Sequence, residues 1–354
     1  MKIGKIEIGN EVIAMKTKRS YILNIALIIA ISGISLYLSV GSEVSTVFKT
    51  ILGAHPFWLF ILCGIMFLYY IFDGIATMIF SRFYKKDYSL KEGFINGLVG
   101  TLFSGLTPSS SGGQFAQVFV FNNQGISPAI SSSILLMCFI SYQIVIMGFT
   151  AVIMILDSSY FLDKGVGVSS MAALGFLINA VVTLLLFAGA KSKKFQEFII
   201  DKVVYILSKT PIVKDYESTC FKIQNYFGEF REQMNVLQKN KKALFQTILC
   251  NVVKLTIMYS TPFFACKALG IHVHISLFIQ FLGLASIINL INTFLPIPGA
   301  SGGSEGCYMI LFGFLGRANA SSSMFLWRFF SFYFGLILGM IVFIVAKDTK
   351  KKDD

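Results

Sequence analysis

Six stretches of this chain run for the width of a bilayer with few or no charges: 21–40, 57–80, 128–156, 168–190, 243–266 and 320–346. A helix needs about 20 consecutive apolar residues to cross the hydrocarbon core. Within lipid, each backbone N–H and C=O must find its partner inside the protein, and a helix supplies all of them within one segment. Only 14% of the residues are charged, against about 25% in a soluble domain. The expected fold class is therefore all-α integral membrane, with six full transmembrane helices. The N-terminal residues 1–20 are polar and basic, and the run that follows shows no small-x-small cleavage site. We read 21–40 as a retained first helix rather than a signal peptide.

The net charge of +12 would suggest nucleic acid only if its placement were ignored. Lys and Arg fall in blocks at 1–20, 82–92, 191–242 and 347–354, which together hold 24 of the 30 basic residues. The opposite loops hold Lys49, Lys164, Lys267 and Arg317. This asymmetry follows the positive-inside rule and predicts both termini in the cytoplasm and no nucleic-acid partner. The basic surface would attract anionic lipids of the inner leaflet. The six cysteines form no CxxC pair, and His272 and His274 alone are too few to specify a metal. No metal and no cofactor is expected.

Two loops share a pattern. Pro108-Ser-Ser-Ser-Gly-Gly-Gln114 and Pro298-Gly-Ala-Ser-Gly-Gly-Ser304 are both PxxSGG, 190 residues apart. The same offset carries the span at 57–80 onto 247–270, overlapping that at 243–266, and 128–156 onto 318–346, overlapping that at 320–346. The arms flanking the first motif, 93–106 and 115–121, are too short to cross. They read as a re-entrant hairpin with PxxSGG at its tip. A second hairpin would use 283–295 and 305–316, although apolar sequence begins at Ile275 and could span fully. Each hairpin returns to its own side, so the two halves have opposite orientations. Inverted repeats with broken helices place a substrate site near the midplane in transporters. The expected organisation is a cytoplasmic segment 1–20 and one membrane domain 21–346, followed by a cytoplasmic tail 347–354. Within the domain, repeat halves at about 57–156 and 243–346 are separated by an amphipathic cytoplasmic insert, 191–242. In that insert Cys220, Ile223, Phe227, Phe230, Met234 and Leu237 form an apolar helical stripe.

The residue types at the tips suit a headgroup. Pro108 and Pro298 break helices, while Gly112, Gly113, Gly302 and Gly303 permit close approach and unusual dihedrals. Ser111, Gln114, Gln117, Ser301 and Ser304 offer neutral hydrogen bonds. Each following arm would present a helix N-terminus, which attracts phosphate. The alternative is that the glycines serve only tight packing. Four ionisable residues lie in or beside apolar runs: Asp73, Lys254, Glu305 and Arg328. Such residues face a cavity or each other. Asp73 and Lys254 sit at similar depth and suit a structural ion pair. Arg328 suits a phosphate, because guanidinium contacts are bidentate. Glu305 either caps its helix or meets a cationic headgroup. Gly299-Ala-Ser301-Gly302 also fits the GxSG nucleophile pattern of intramembrane proteases. No histidine follows Ser301 to act as its base, and His55, His272 and His274 precede it on the outer side.

Three segments, "GLTPSSSGGQFAQVFVFNNQGIS" at 105–127, "LPIPGASGGSEG" at 295–306 and "LWRFFSFYFGLILG" at 326–339, resemble the lysylphosphatidylglycerol synthase transmembrane family. That family includes the flippase half of the multiple peptide resistance factor. The resemblance covers nearly the whole chain. It implies translocation of a phospholipid such as lysyl-phosphatidylglycerol in the bacterial plasma membrane, and a link to resistance against cationic peptides. By position, it implies functional roles for Arg328, Glu305 and the PxxSGG tips. Many members read GGE followed by an arginine where this chain has Gln114 and Gln117, and a Glu-Arg pair is missing from 134–147, so the headgroup is expected to differ. No aminoacyl transferase domain falls within the 354 residues. A separate lipid-modifying synthase is therefore a candidate partner, and a homo-oligomer is compatible. Carriage of a polyprenyl-phosphate or glycolipid, or a role as membrane subunit of a phosphatidylglycerol lysyltransferase, stays open on the sequence.

Overall fold

The computed structural model describes residues 49–107, 110–163, 166–194, 196–198, 202, 216–293, 295 and 297–350. The predicted segments 1–20 and 21–40, Pro108 and the end of the tail, 351–354, lie outside the described residues. Among those described, all regular structure is helical: α1 (Pro56–Ser81), α2 (Leu90–Leu106), α3 (Ser111–Asn123), α4 (Pro128–Leu156), α5 (Ser158–Asp163), α6 (Val166–Lys191), α7 (Tyr216–Lys239), α8 (Lys241–Ala268), α9 (Phe278–Asn292), α10 (Gly303–Leu311), α11 (Arg317–Arg328) and α12 (Phe334–Lys350). A π-helical turn, Phe329–Tyr333, joins α11 to α12. Among the described residues six stretches are long and apolar enough to cross a membrane: α1, α4, Gly167–Lys191 of α6, α8, Ile275–Asn292, and Arg317–Val345.

Local signals set the helix starts. His55 Nδ1 accepts from the Phe57 N–H and Pro56 opens α1. Ser89 and Glu92 form a capping box at α2, satisfying two N–H groups that a helix start otherwise leaves bare. Ser127 and Pro128 begin α4 in the same manner as His55 and Pro56 begin α1. The capping box moves the first hairpin arm back from the expected 93 to Leu90. At 17 residues α2 rises about 26 Å, and the 13 residues of α3 about 20 Å. Both fall short of the hydrocarbon core of about 30 Å. The first arm of the second hairpin is longer than the expected 283–295. A 3-10 turn, Ile275–Leu277, feeds α9, and together they reach crossing length. Apolar sequence runs unbroken there, with His274 capping the turn. The return arm α10 has only nine residues.

The packing repeats under the 190-residue offset. Its counterparts are α1 with α8, α2 with α9, α3 with α10, and α4 with α11–α12. Contacts α1–α2, α2–α3, α3–α4, α1–α4 and α2–α12 are matched by α8–α9, α9–α10, α10–α11, α8–α11 and α9–α4. The central pair α1 and α8 is antiparallel. The His55 N–H donates to the Ala268 carbonyl at one end, and Asp73 meets Lys254 further along. Counterpart helices of opposite direction are what an inverted repeat requires. The backbone repeats too. Ser110 (φ 54°) and Ala300 (φ 52°), the non-glycine residues with left-handed backbone among those described, are 190 residues apart.

Close approach uses small residues, as is common where lipid provides no hydrophobic drive between helices. A Cβ on Gly93 would stand 2.4 Å from the Gly74 carbonyl oxygen, so α1 and α2 touch backbone to backbone. Within α8, Pro262 cannot donate to Met258. The Thr261 hydroxyl donates to that carbonyl instead, at 2.6 Å, the kind of repair that lets proline stand inside a membrane helix. The stripe read in the insert lies on α7. Phe230, Met234 and Leu237 are buried in a cluster with Ile134, Leu135 and Met137 of α4. Ser133 Oγ donates to the Phe230 carbonyl and Ser127 Oγ to Glu229, so the stripe covers the bundle.

Candidate functional site

The second tip packs against the first hairpin. The turn Pro298–Ala300 packs on α2, and one aromatic ring joins them. Phe332, in the π-helical turn, lies against Gly105 near the end of α2 and against Gly299 in the second tip. A Cβ on Gly299 (φ 61°) would stand 2.3 Å from that ring, so position and dihedral both require glycine. The Arg328 guanidinium sits 4.4 Å above the same ring, a cation–π contact.

The second tip is closed. Pro298, Ala300, Ser301, Ser304 and Glu305 are buried, and Gly302 and Gly303 partly so. Glu305 Oε2 accepts from the Gly302 N–H at 2.7 Å and so caps α10. Its other oxygen approaches Arg328 Nε to 3.0 Å, a charge contact without hydrogen-bond alignment. Arg328 also donates to the Gly299 carbonyl and, at 3.4 Å each, to Ser301 and Ser304. The guanidinium therefore stitches the second tip to α11. Glu305 thus caps its own helix with one oxygen and faces Arg328 with the other.

In its described residues the first tip is open. Ser110, Ser111 and Gln114 are exposed, and Gly112 is partly so. The Gly112 N–H donates to Thr107 Oγ1 at 2.8 Å. A Cβ on Gly113 would strike Ser104 and the Gly100 carbonyl, which shows how tightly α2 and α3 close beneath the tip. The Gln117 side chain packs on Gly100, and the Gln117 backbone carbonyl accepts from Asn96 Nδ2 at 3.0 Å. The helix start of α3 has no acidic residue in its first turn, and its N-cap residue Ser110 makes no side-chain cap, so the neutral Thr107 hydroxyl on Gly112 stands where the second tip has a carboxylate. Under the offset, Glu305 falls on Phe115 and Arg328 on Cys138. The tips thus share a backbone and differ in charge: one N-terminus is neutralised from within, the other faces outward.

Asp73 and Lys254 join α1 to α8 with Nζ and Oδ1 at 2.7 Å. The Asp73 carboxylate rests on Gly97 of α2. Lys254 lies 4.8 Å from the Tyr142 ring and 5.5 Å from that of Tyr69. Asn289 of α9 donates to Tyr142 and Tyr259 at 3.2 and 3.0 Å. Sequence reasoning missed this polar collar, because tyrosine and asparagine on apolar helices carry no periodic signal of their own. Among the described residues no group of three or more His, Cys, Asp or Glu could hold a metal.

A family model for the lysylphosphatidylglycerol synthase TM region matches residues 22–339. No curated protein and no solved structure gives a match. The match spans both hairpins, the Asp73–Lys254 and Glu305–Arg328 pairs and the π-helical turn. The chain is thus a multi-pass membrane protein that belongs to the lysylphosphatidylglycerol synthase transmembrane-region family.

Proposed function

We propose that this chain translocates a phospholipid across the bacterial plasma membrane, with the headgroup passing between the two tips and the acyl chains remaining in lipid. The observation that carries the reading is the meeting of two broken helices, one tip closed by its own ion pair and the other open. An exposed helix start offers N–H groups to a phosphate, and Ser111 and Gln114 add neutral polar atoms beside it. Irregular backbone at membrane depth is tolerated only where protein or a water-lined cavity surrounds it, which favours a polar path at this point. Family membership adds aminoacyl-phosphatidylglycerol as a candidate lipid, with Gln114 and Gln117 adjusting headgroup choice. Arg328 and Glu305 act in this reading as the lock of the closed tip. Both termini lie in the cytoplasm.

The test places the purified chain in liposomes containing headgroup-labelled phosphatidylglycerol or lysyl-phosphatidylglycerol. An impermeant quencher follows leaflet exchange, and mass spectrometry follows lipid identity. Faster exchange with unchanged lipid mass is expected. Absence of exchange for both lipids sinks the reading, and a new lipid mass would assign an enzyme instead.

A further inference from the structure

Where α1 ends and α8 begins, the two counterpart helices part around a cavity of about 540 Å³. Its walls are apolar along the helix axes, with Ile75 and Ile79 on one side and Leu249 on the other. Its mouth carries Arg82 and Lys242, both exposed, and no carboxylate lines it. Arg82 Nε donates to the Tyr88 carbonyl at 3.0 Å, which anchors the guanidinium at the rim. Among the described residues neither cation has a carboxylate within 4.0 Å. Lys242 also stands in the first turn of α8, beside Lys241. The helix dipole disfavours cations at that end, and a bound anion would relieve the repulsion. The inner end of the slot approaches the Asp73–Lys254 pair, since Cys250 lines it and Lys254 is one turn further along α8.

We propose that this groove binds an anionic glycerophospholipid of the inner leaflet, with its phosphate on Arg82 and Lys242 and one acyl chain in the slot between α1 and α8. A cationic mouth on a lipid-facing apolar slot matches an amphiphile at both ends. A small soluble anion would leave the apolar walls unused. The volume lies within the range of about 300–1,000 Å³ usual for ligand pockets. The site is distinct from the tips and does not rest on the translocation reading. Binding is measured at equilibrium, whereas translocation is measured by leaflet exchange.

The test titrates the purified full chain in detergent with phosphatidylglycerol, phosphatidylcholine and glycerol 3-phosphate, followed by native mass spectrometry. Two variants are compared: the double variant R82Q/K242Q, and Gln246→Trp, which fills the slot from an exposed lining position. The double variant should weaken phosphatidylglycerol about thirtyfold and leave phosphatidylcholine unchanged. Gln246→Trp should weaken both lipids. Unchanged phosphatidylglycerol binding in both variants, or glycerol 3-phosphate binding as tightly as the lipid, would overturn the proposal.

Discussion

Arg328 and Glu305 show how much one side chain decides in this molecule. The arginine is 6% exposed and the glutamate fully buried. Ions in such surroundings are costly unless paired, and removing one partner strands the other. Arg328→Ala should therefore lower stability in detergent by about 3–5 kcal/mol. The paired change R328M/E305Q, which removes both charges and keeps volume, should recover most of that loss. Thermal unfolding of the three proteins checks this, and a double variant as unstable as the single one would show that packing rather than charge governs the site. The sequence marked Arg328 and Glu305 as unusual because they are ionisable residues beside apolar runs. It could not pair them, because 23 positions and a helix reversal separate them.

Among the helices, contact distance is set by what is missing from the side chain. Gly93 and Gly74 bring α1 and α2 together at backbone range. Gly93→Ala places a methyl group against the Gly74 carbonyl, where no side chain can yield. A destabilisation of about 1–3 kcal/mol is expected from overpacking, read as a lower unfolding temperature; an unchanged temperature would mean that the two helices separate freely. The turn between the same helices carries a titratable clamp. Lys85 and Glu92 pair at 2.5 Å. Burial pushes the Glu92 carboxyl up, but hydrogen bonds from Lys85 and Ser89 outweigh it and hold the group below its ordinary value. The Lys85 ammonium is raised, chiefly by its bond to Glu92. A depressed carboxyl stabilises the fold above its unfolded value of about 4.3 and loses that contribution as pH falls through its lower folded value. The stability gap between the native protein and Glu92→Gln should therefore hold constant near neutrality and shrink on acidification. A gap that does not change with pH would remove the clamp from the account.

For the whole molecule the repeat makes a claim about sidedness. If the basic blocks face the cytoplasm, the start of α8 lies inside and the start of α11 outside. Lys241 and Arg317 are both exposed, so single cysteines there can report, in a background with the six native cysteines replaced. Arg317→Cys should react with an impermeant maleimide in intact cells, and Lys241→Cys only after permeabilisation. Labelling of both in intact cells, or the reverse order, would refute the orientation and with it the inner-leaflet placement of the groove.

The sequence by itself determined the membrane class, most of the spans, and the two tips with their 190-residue spacing. These are properties of consecutive residues: the length of an apolar run, a proline beside glycines, the placement of basic blocks. The capping pair Ser89 and Glu92, three residues apart, is a signal of the same kind, but the expectation of an arm starting at 93 passes over it. Only the tertiary structure decided that the two tips differ, one stitched shut by Arg328 and the other open at Ser111 and Gln114. It also brought Phe332 against Gly299 of the second tip and Gly105 of α2 and gathered Tyr142, Tyr259 and Asn289 near Lys254. Those arrangements depend on which helix faces which. In a chain apolar nearly all round, hydrophobic periodicity does not select a face, and close packing of small residues and pairing of sparse polar groups make the choice.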